Sequence, residues 1–389
     1  MSAQRRRTVM IVAGEYSGDR LGGEAMAALK ARAPGRLRFV GVGGPAMEAE
    51  GLESLFPLDD IAVMGLGDVL PGIGRILARL RAAVALAQRE SPDLLLTIDS
   101  LGFNGRLARR VRAGRPDMPI LHYAAPKLWA WLPGRARKLK GVYDELLCLF
   151  PFEPAFFADF GLPATFVGHP VVTRVPPDPA AGAAFRARYG IPADAPLLAV
   201  LPGSRTSEVT RLLPAFGETV RRLRTDRPGL WTVTPTVPSQ ATRIGAALQA
   251  WGGQTLTVTG EAEKFAAFHA ADAALAASGT VSLELAAAGT PMVVAYRVGG
   301  LSAAVARRLI RVRYATLVNI LLDRPVVPEL LQHACTPTRL TEAVGGLLND
   351  DAARQMQRAA FAEAMEMLGR GGPPPAERAA DAIARRLGL

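Results

Sequence analysis

The sequence predicts an α/β protein of two doubly wound, Rossmann-like domains facing a cleft, with helices at its C-terminal end. Three observations carry that expectation. Short apolar runs alternate with segments of helical length along the whole chain, as parallel βαβ crossovers require. A proline-bearing break, with Pro176, Pro177 and Pro179, falls near the middle and discourages a continuous element there. Each half also has glycine-containing turns directly after apolar runs, at the strand ends where open α/β sheets place ligands.

In chain order, the strand-like runs of the first half are residues 9–13, 37–42, 94–98, 120–123, 145–149 and 165–167. Those of the second half are residues 197–201, 231–234, 255–258, 273–276 and 292–295. The expected domains are residues 1–172, a linker at 173–183, a second domain at 184–349, and a helical tail at 350–389 interrupted at 369–375.

At 389 residues the chain can bury more than one core, and 49% hydrophobic against 21% charged residues excludes wholesale disorder. Cys148 and Cys335 lie far apart and form no disulfide framework or CxxC site, so a reducing cytoplasm is expected. His122, His169, His269 and His333 are dispersed and suggest no local metal motif; no cofactor is expected. The net charge of +11, mostly arginine, suits anionic partners and equally suits a compositional bias. No nucleic-acid-binding signature is present, so no nucleic-acid partner is expected. Residues 9–13 are too short for the apolar core of a signal peptide, and no run of about eighteen apolar residues occurs, so membrane contact is expected to be peripheral.

In the second half, an apolar strand runs into Pro202-Gly203-Ser204-Arg205 and then a helical pattern. Glycine permits close backbone approach, a helix start presents N–H groups, and arginine offers a forked cation to phosphate oxygens. A second such turn, Ser278-Gly279-Thr280, precedes Glu284. Glu284 could hold a ribose diol or close a capping box with Ser278 or Thr280. In residues 317–332, Asn319 and Gln332 could orient phosphate or sugar, or satisfy buried backbone.

In the first half, Gly14-Glu15-Tyr16-Ser17-Gly18-Asp19 ends the first strand, and Glu15, Ser17 and Asp19 offer acceptors to sugar hydroxyls or cap a helix. Asp99 ends another strand, where a carboxylate could take a proton from an attacking hydroxyl or cap the next helix. Residues 41–46 fit GxGxxA, but after the second strand rather than the first, so they make a weak dinucleotide fingerprint. Trp129 and Trp131 sit beside Lys127 in an aromatic and basic loop. In residues 61–80, Ile73, Ile76, Leu77 and Leu80 share a helical face that Arg75 and Arg79 avoid. Such a face packs on a core or lies on a lipid surface.

Together these segments resemble lipid-A-disaccharide synthases, inverting glycosyltransferases of GT-B architecture. The matching pieces are GEYSGD (14–19), GVGGPAM (41–47), VMGLGDVL (63–70), IDSLGFN (98–104), WAW (129–131), PFE (151–153), VGHP (167–170), LPGSR (201–205), SGTVSLE (278–284), PMVVAY (291–296), VNIL (318–321) and VPELLQ (327–332). The resemblance implies a metal-free transfer from UDP-2,3-diacylglucosamine to 2,3-diacylglucosamine 1-phosphate. The products would be the β-1,6-linked lipid A disaccharide 1-phosphate and UDP. It implies Asp99 and Arg205 as catalytic residues. Gly203, Ser204, Ser278, Gly279, Thr280, Glu284, Asn319 and Gln332 would bind the UDP-sugar. Glu15, Ser17, Asp19, Met64, Ile73, Ile76, Leu77, Trp129 and Trp131 would form the acceptor and lipid side. It further implies peripheral attachment to the inner membrane from the cytoplasm and leaves a homodimer open. The sequence departs from the family pattern at Leu101-Gly102, where Pro-Asp is usual, and at Lys127, Leu132, Asp68 and residues 171–173. None of these departures touches Arg205, residues 278–280, Glu284 or Asn319. The competing readings are a UDP-N-acetylglucosamine 2-epimerase-like enzyme, an NAD-dependent oxidoreductase built on residues 41–46, and a non-catalytic nucleotide-sugar or lipid-binding protein.

Overall fold

The structure, a computed structural model, describes residues 5–62, 66–175, 178–299 and 312–389. It divides into two compact units: the chain through Pro170 with Gly371–Leu389, and Val171–Arg370. Each unit holds one six-stranded parallel sheet.

In the first unit the strands are β1 (Arg7–Ala13), β2 (Leu37–Val42), β3 (Leu94–Ile98), β4 (Ile120–Tyr123), β5 (Glu145–Cys148) and β6 (Ala164–Phe166), in the order β2-β1-β3-β4-β5-β6. The direction of winding reverses between β1 and β3, so the turns after these two strands meet at the switch point. Val9–Ala13, β3 and β4 are buried throughout, as strands covered on both faces must be.

In the second unit the strands are β7 (Leu197–Leu201), β8 (Trp231–Thr236), β9 (Thr255–Thr259), β10 (Ala273–Ala277), β11 (Met292–Tyr296) and β12 (Glu329–Leu331), in the order β12-β11-β10-β7-β8-β9. The reversal lies between β7 and β10. Alanine is a poor strand former, yet β10 reads AALAA and is wholly buried. Its central position, not its propensity, makes it a strand. β12 is an edge strand of three residues after Pro328, where the sequence suggests only a connection.

The expected linker is partly helical. Asp178 accepts a hydrogen bond from Ala181 N and caps the helix Pro179–Arg188. Pro179 thus starts a helix, where its missing N–H costs nothing. The expected tail at 350–389 is divided. Asp351–Met367 belongs to the second unit and packs on the helix Val281–Ala287. Pro375–Leu387 returns to the first, burying Ala379, Ile383 and Leu387 in its core along the helix Tyr16–Arg32. Arg386 secures it through Glu145 at 2.9 Å. Among the described residues no helix is long and apolar enough to cross a membrane.

Candidate active site

In the second unit the turns after β7, β8, β9 and β10 surround a cavity of about 540 Å³. This is within the usual size of small-molecule sites. Gly203, Ser204 and Arg205 line it from one side of the switch point, and Ser278, Gly279, Thr280 and Glu284 from the other. Gly203 has φ +108°, and a Cβ there would fall 2.8 Å from a Glu208 carboxylate oxygen, so only glycine fits. The helix Thr206–Asp226 follows with no side-chain cap, which leaves its positive end for an anion. Arg205 is largely exposed, at 67% of its side chain, and its Nη1 lies 3.0 Å from Glu208 Oε1. The same oxygen accepts from the Tyr296 hydroxyl at 3.3 Å; burial and Glu208 raise the Tyr296 pKa. With the guanidinium largely in solvent, Arg205 can exchange Glu208 for a ligand's oxygens at small cost.

Glu284 does not close a capping box. Its Oε1 meets Lys264 Nζ at 2.9 Å across the cavity. Ser278 Oγ donates to Ala315 O, and Thr280, the N-cap, makes no side-chain cap bond. Neither Asn319 nor Gln332 is among the described residues that line the cavity. The expected direct contact of Asn319 with sugar is not how the amide is used. It is fully buried, with Oδ1 accepting from Val327 N and Nδ2 donating to Val327 O and Glu329 Oε1. Gln332 Oε1 takes Val298 N at 3.4 Å. The sequence reading missed Lys264, Glu208, Glu261 and residues 235–238, all lining the cavity. Their signal was available: residues 235–238 span the carboxyl end of β8, Glu261 and Lys264 follow that of β9, and Glu208 is one helical turn past Arg205.

At the first unit's switch point, Ser17 Oγ donates to Asp99 Oδ2 at 3.2 Å. Asp99 Oδ1 accepts from the backbone N of Ser100 at 2.7 Å. The helix Leu101–Gly114 has Ser100 as N-cap, so Asp99 does not cap it. Glu15 is the exposed N-cap of Tyr16–Arg32. Asp19 points elsewhere. Buried at 2% exposure, its carboxylate accepts from the backbone N of Gly44, Ala46 and Met47. That corrects the expectation of a sugar ligand. Asp19 caps the helix Pro45–Ala49, and it occupies the turn that resembled a dinucleotide fingerprint.

Trp129 is half-buried, and its Nε1 donates to Glu153 Oε1 at 2.9 Å. Glu153 also accepts from the backbone N of Leu149 and Phe150. Burial pushes its carboxyl up to about 7 against the pull of these donors and of Lys127. Trp131 is exposed at 44%, with Arg135 beside its ring. In the helix Leu66–Glu90, the expected apolar face splits. Leu80 is buried and Ile76 packs on the core, but Leu77 is 40% exposed. Arg79 pairs with Asp60 and lies over Phe56. Met64 and the side chain of Ile73 lie outside the described residues. His122 is buried in β4 with Nδ1 2.8 Å from Thr97 Oγ1, and burial lowers its pKa to about 4, leaving it neutral. Among the described residues no cluster of His, Cys, Asp or Glu could hold a metal.

Two Rossmann-like sheets, each with ligand-type turns at its switch point, define the GT-B class of nucleotide-sugar transferases and epimerases. Solved structures agree at the level of fold. A putative UDP-N-acetylglucosamine 2-epimerase from Listeria monocytogenes superposes with TM-score 0.61 at 15% identity, over 97% of this chain and 95% of that one. MurG from Acinetobacter baumannii gives 0.56 at 16%, over 97% and 99%. Sequence comparison separates these possibilities. The lipid-A-disaccharide synthetase family model matches residues 9–376. The lipid-A-disaccharide synthase of Rhodospirillum centenum is 51% identical over 96% of this chain and 93% of its own length. That of Paramagnetospirillum magneticum is 48% identical over 96% of each. The chain belongs to the lipid-A-disaccharide synthetase family.

Proposed function

We propose that this protein transfers a diacylglucosaminyl group from UDP-2,3-diacylglucosamine to the 6-hydroxyl of 2,3-diacylglucosamine 1-phosphate. Asp99 takes the hydroxyl proton as the acceptor oxygen attacks the anomeric carbon. The bond from that carbon to the diphosphate oxygen breaks, and UDP leaves with its charge met by Arg205. The turns 203–205 and 278–280 hold the diphosphate, and Glu284, steadied by Lys264, holds the ribose. Asn319 serves by shaping the segment 317–329 rather than by touching sugar. Glu15, Ser17 and the loop carrying Trp129 and Trp131 receive the acceptor. The exposed Leu77 and Arg75 of the helix Leu66–Glu90 support peripheral contact with an anionic membrane surface.

The observation that carries this reading is the donor-side cavity, bearing Arg205 and Glu284 in a chain of this family. The test is incubation with both acylated sugars followed by mass spectrometry. The expected result is the disaccharide 1-phosphate and UDP in equal amounts. A donor epimerised at C2 with no acceptor consumed would favour the epimerase reading, and tight binding of both sugars without UDP release would favour a binding protein.

A further inference from the structure

Asp99 and Ser100 are consecutive non-glycine residues in the left-handed region, with φ +56° and +41°. L-residues avoid that region unless their surroundings impose it. Asn104 supplies the constraint. It is fully buried, and its Nδ2 donates to Val12 O at 3.3 Å, Ile98 O at 2.9 Å and Asp99 O at 2.9 Å. One side-chain amide therefore joins the end of β1 to the end of β3. Its Oδ1 has no hydrogen-bond partner among the described residues, so the residue acts as a donor. Gly14 completes the lock. A Cβ at position 14 would fall 2.2 Å from Ser100 Cβ, so glycine alone lets the two turns close on each other.

We infer that Asn104 is a positioning residue for the transfer reaction. By binding the Asp99 carbonyl and those on either side of the switch point, it imposes the left-handed turn that presents the Asp99 carboxylate beside Ser17. The inference rests on the reading of Asp99 as the general base. The side-chain amide is chosen over another donor because it reaches carbonyls of two strands at once. A displaced base loses rate steeply, by about 10²-fold for an ångström of misplacement.

The test is a double-mutant cycle on the full-length protein with Asn104→Ala, Asp99→Asn and the pair. Asn104→Ala is expected to lower kcat about 10–100-fold, with UDP affinity and donor KM unchanged. In the Asp99→Asn background it should add no further loss, because the group it positions is already gone. Losses that multiply in the double variant overturn the inference and make Asn104 a structural residue. Full turnover in Asn104→Ala beside a crippled Asp99→Asn overturns positioning while leaving the base in place. Full turnover in Asp99→Asn removes the base itself, and the inference with it. Asn104→Ser retains one donor and should fall between wild type and alanine; if neither variant folds, the role is structural and the inference fails.

Discussion

At the second unit's switch point the turns after β7 and β10 stand apart around about 540 Å³. At the first unit's, the turns after β1 and β3 interlock through Gly14, Ser100 and Asn104. Both sheets are parallel, six-stranded and reverse their winding once, although their strand orders differ, and the side chains that fill the two switch points differ in kind. Around the cavity the polar side chains pair with one another, Arg205 with Glu208 and Lys264 with Glu284, in partly exposed contacts that a diphosphate and a ribose can replace. In the first unit Asp19, Asn104 and Glu153 are buried and bound to backbone. A large charged ligand needs open volume with exchangeable partners. Delivery of one carboxylate needs a rigid frame. A switch point in each sheet supplies one of the two, according to what fills it.

The sharpest way to break that comparison is to measure binding and rate on both sides. Asp99→Asn should lower turnover by about 10²–10⁴-fold while UDP affinity, read by calorimetry, stays at the wild-type value. Arg205→Ala removes a charge-assisted contact of about 1.5–3 kcal/mol. It should weaken UDP about 10–100-fold and cost turnover as well. If Asp99→Asn weakens UDP as much as Arg205→Ala does, the two sites are not separable. Near-normal turnover in Asp99→Asn sends the search for a base to Glu15, because Asp19 is enclosed.

Next in size is stability. Asp19→Ala leaves the backbone N–H groups of Gly44, Ala46 and Met47, two of them in buried bonds, without their carboxylate and should cost about 3–5 kcal/mol in denaturant unfolding. Glu284→Gln disturbs only a partly exposed pair and should cost less than about 1 kcal/mol, yet raise the donor KM. A stable Asp19→Ala protein with a raised acceptor KM would restore Asp19 as a ligand and erase the contrast between the units.

Much of this was legible in the sequence, for identifiable reasons. Eleven strands announce themselves as apolar runs, and the switch-point turns follow them directly. Glu329–Leu331 did not, because three residues after a proline carry no periodicity. Asp19 and Asn319 have the chemistry of ligands, but sequence gives residue type without direction. Only the fold reveals that backbone amides claim both. Lys264 was missed because its partner, Glu284, is twenty residues away and on another helix. Glu153 was seen as part of a motif, but its burial, and hence its raised pKa, is a property of packing.

The smallest effect expected is the pH dependence of wild-type stability, and the reason is a cancellation inside the first unit. Burial lowers His122 from 6.5 to about 4. As pH falls through that window the unfolded chain takes up the proton first, so stability is lost toward acid. Glu153 is raised from 4.5 to about 7, chiefly by burial. There the unfolded chain releases its proton first as pH rises, so stability is lost toward neutrality. Each shift amounts to about 3 kcal/mol at roughly 1.4 kcal/mol per unit. The windows overlap from about 4.5 to 6.5 with opposite slopes, so their sum should stay within about 1 kcal/mol between pH 4 and 7. Removing either group uncovers the other. Relative to wild type, His122→Asn should lose about 3 kcal/mol as pH rises from 4.5 to 7, and Glu153→Gln about as much as pH falls from 6.5 to 4. Urea unfolding at half-unit pH steps reads both slopes. Variants whose profiles run parallel to wild type would show that neither group is held in the charge state its burial demands. The rigid frame attributed to the first unit would then lose two of its buried ionisable members.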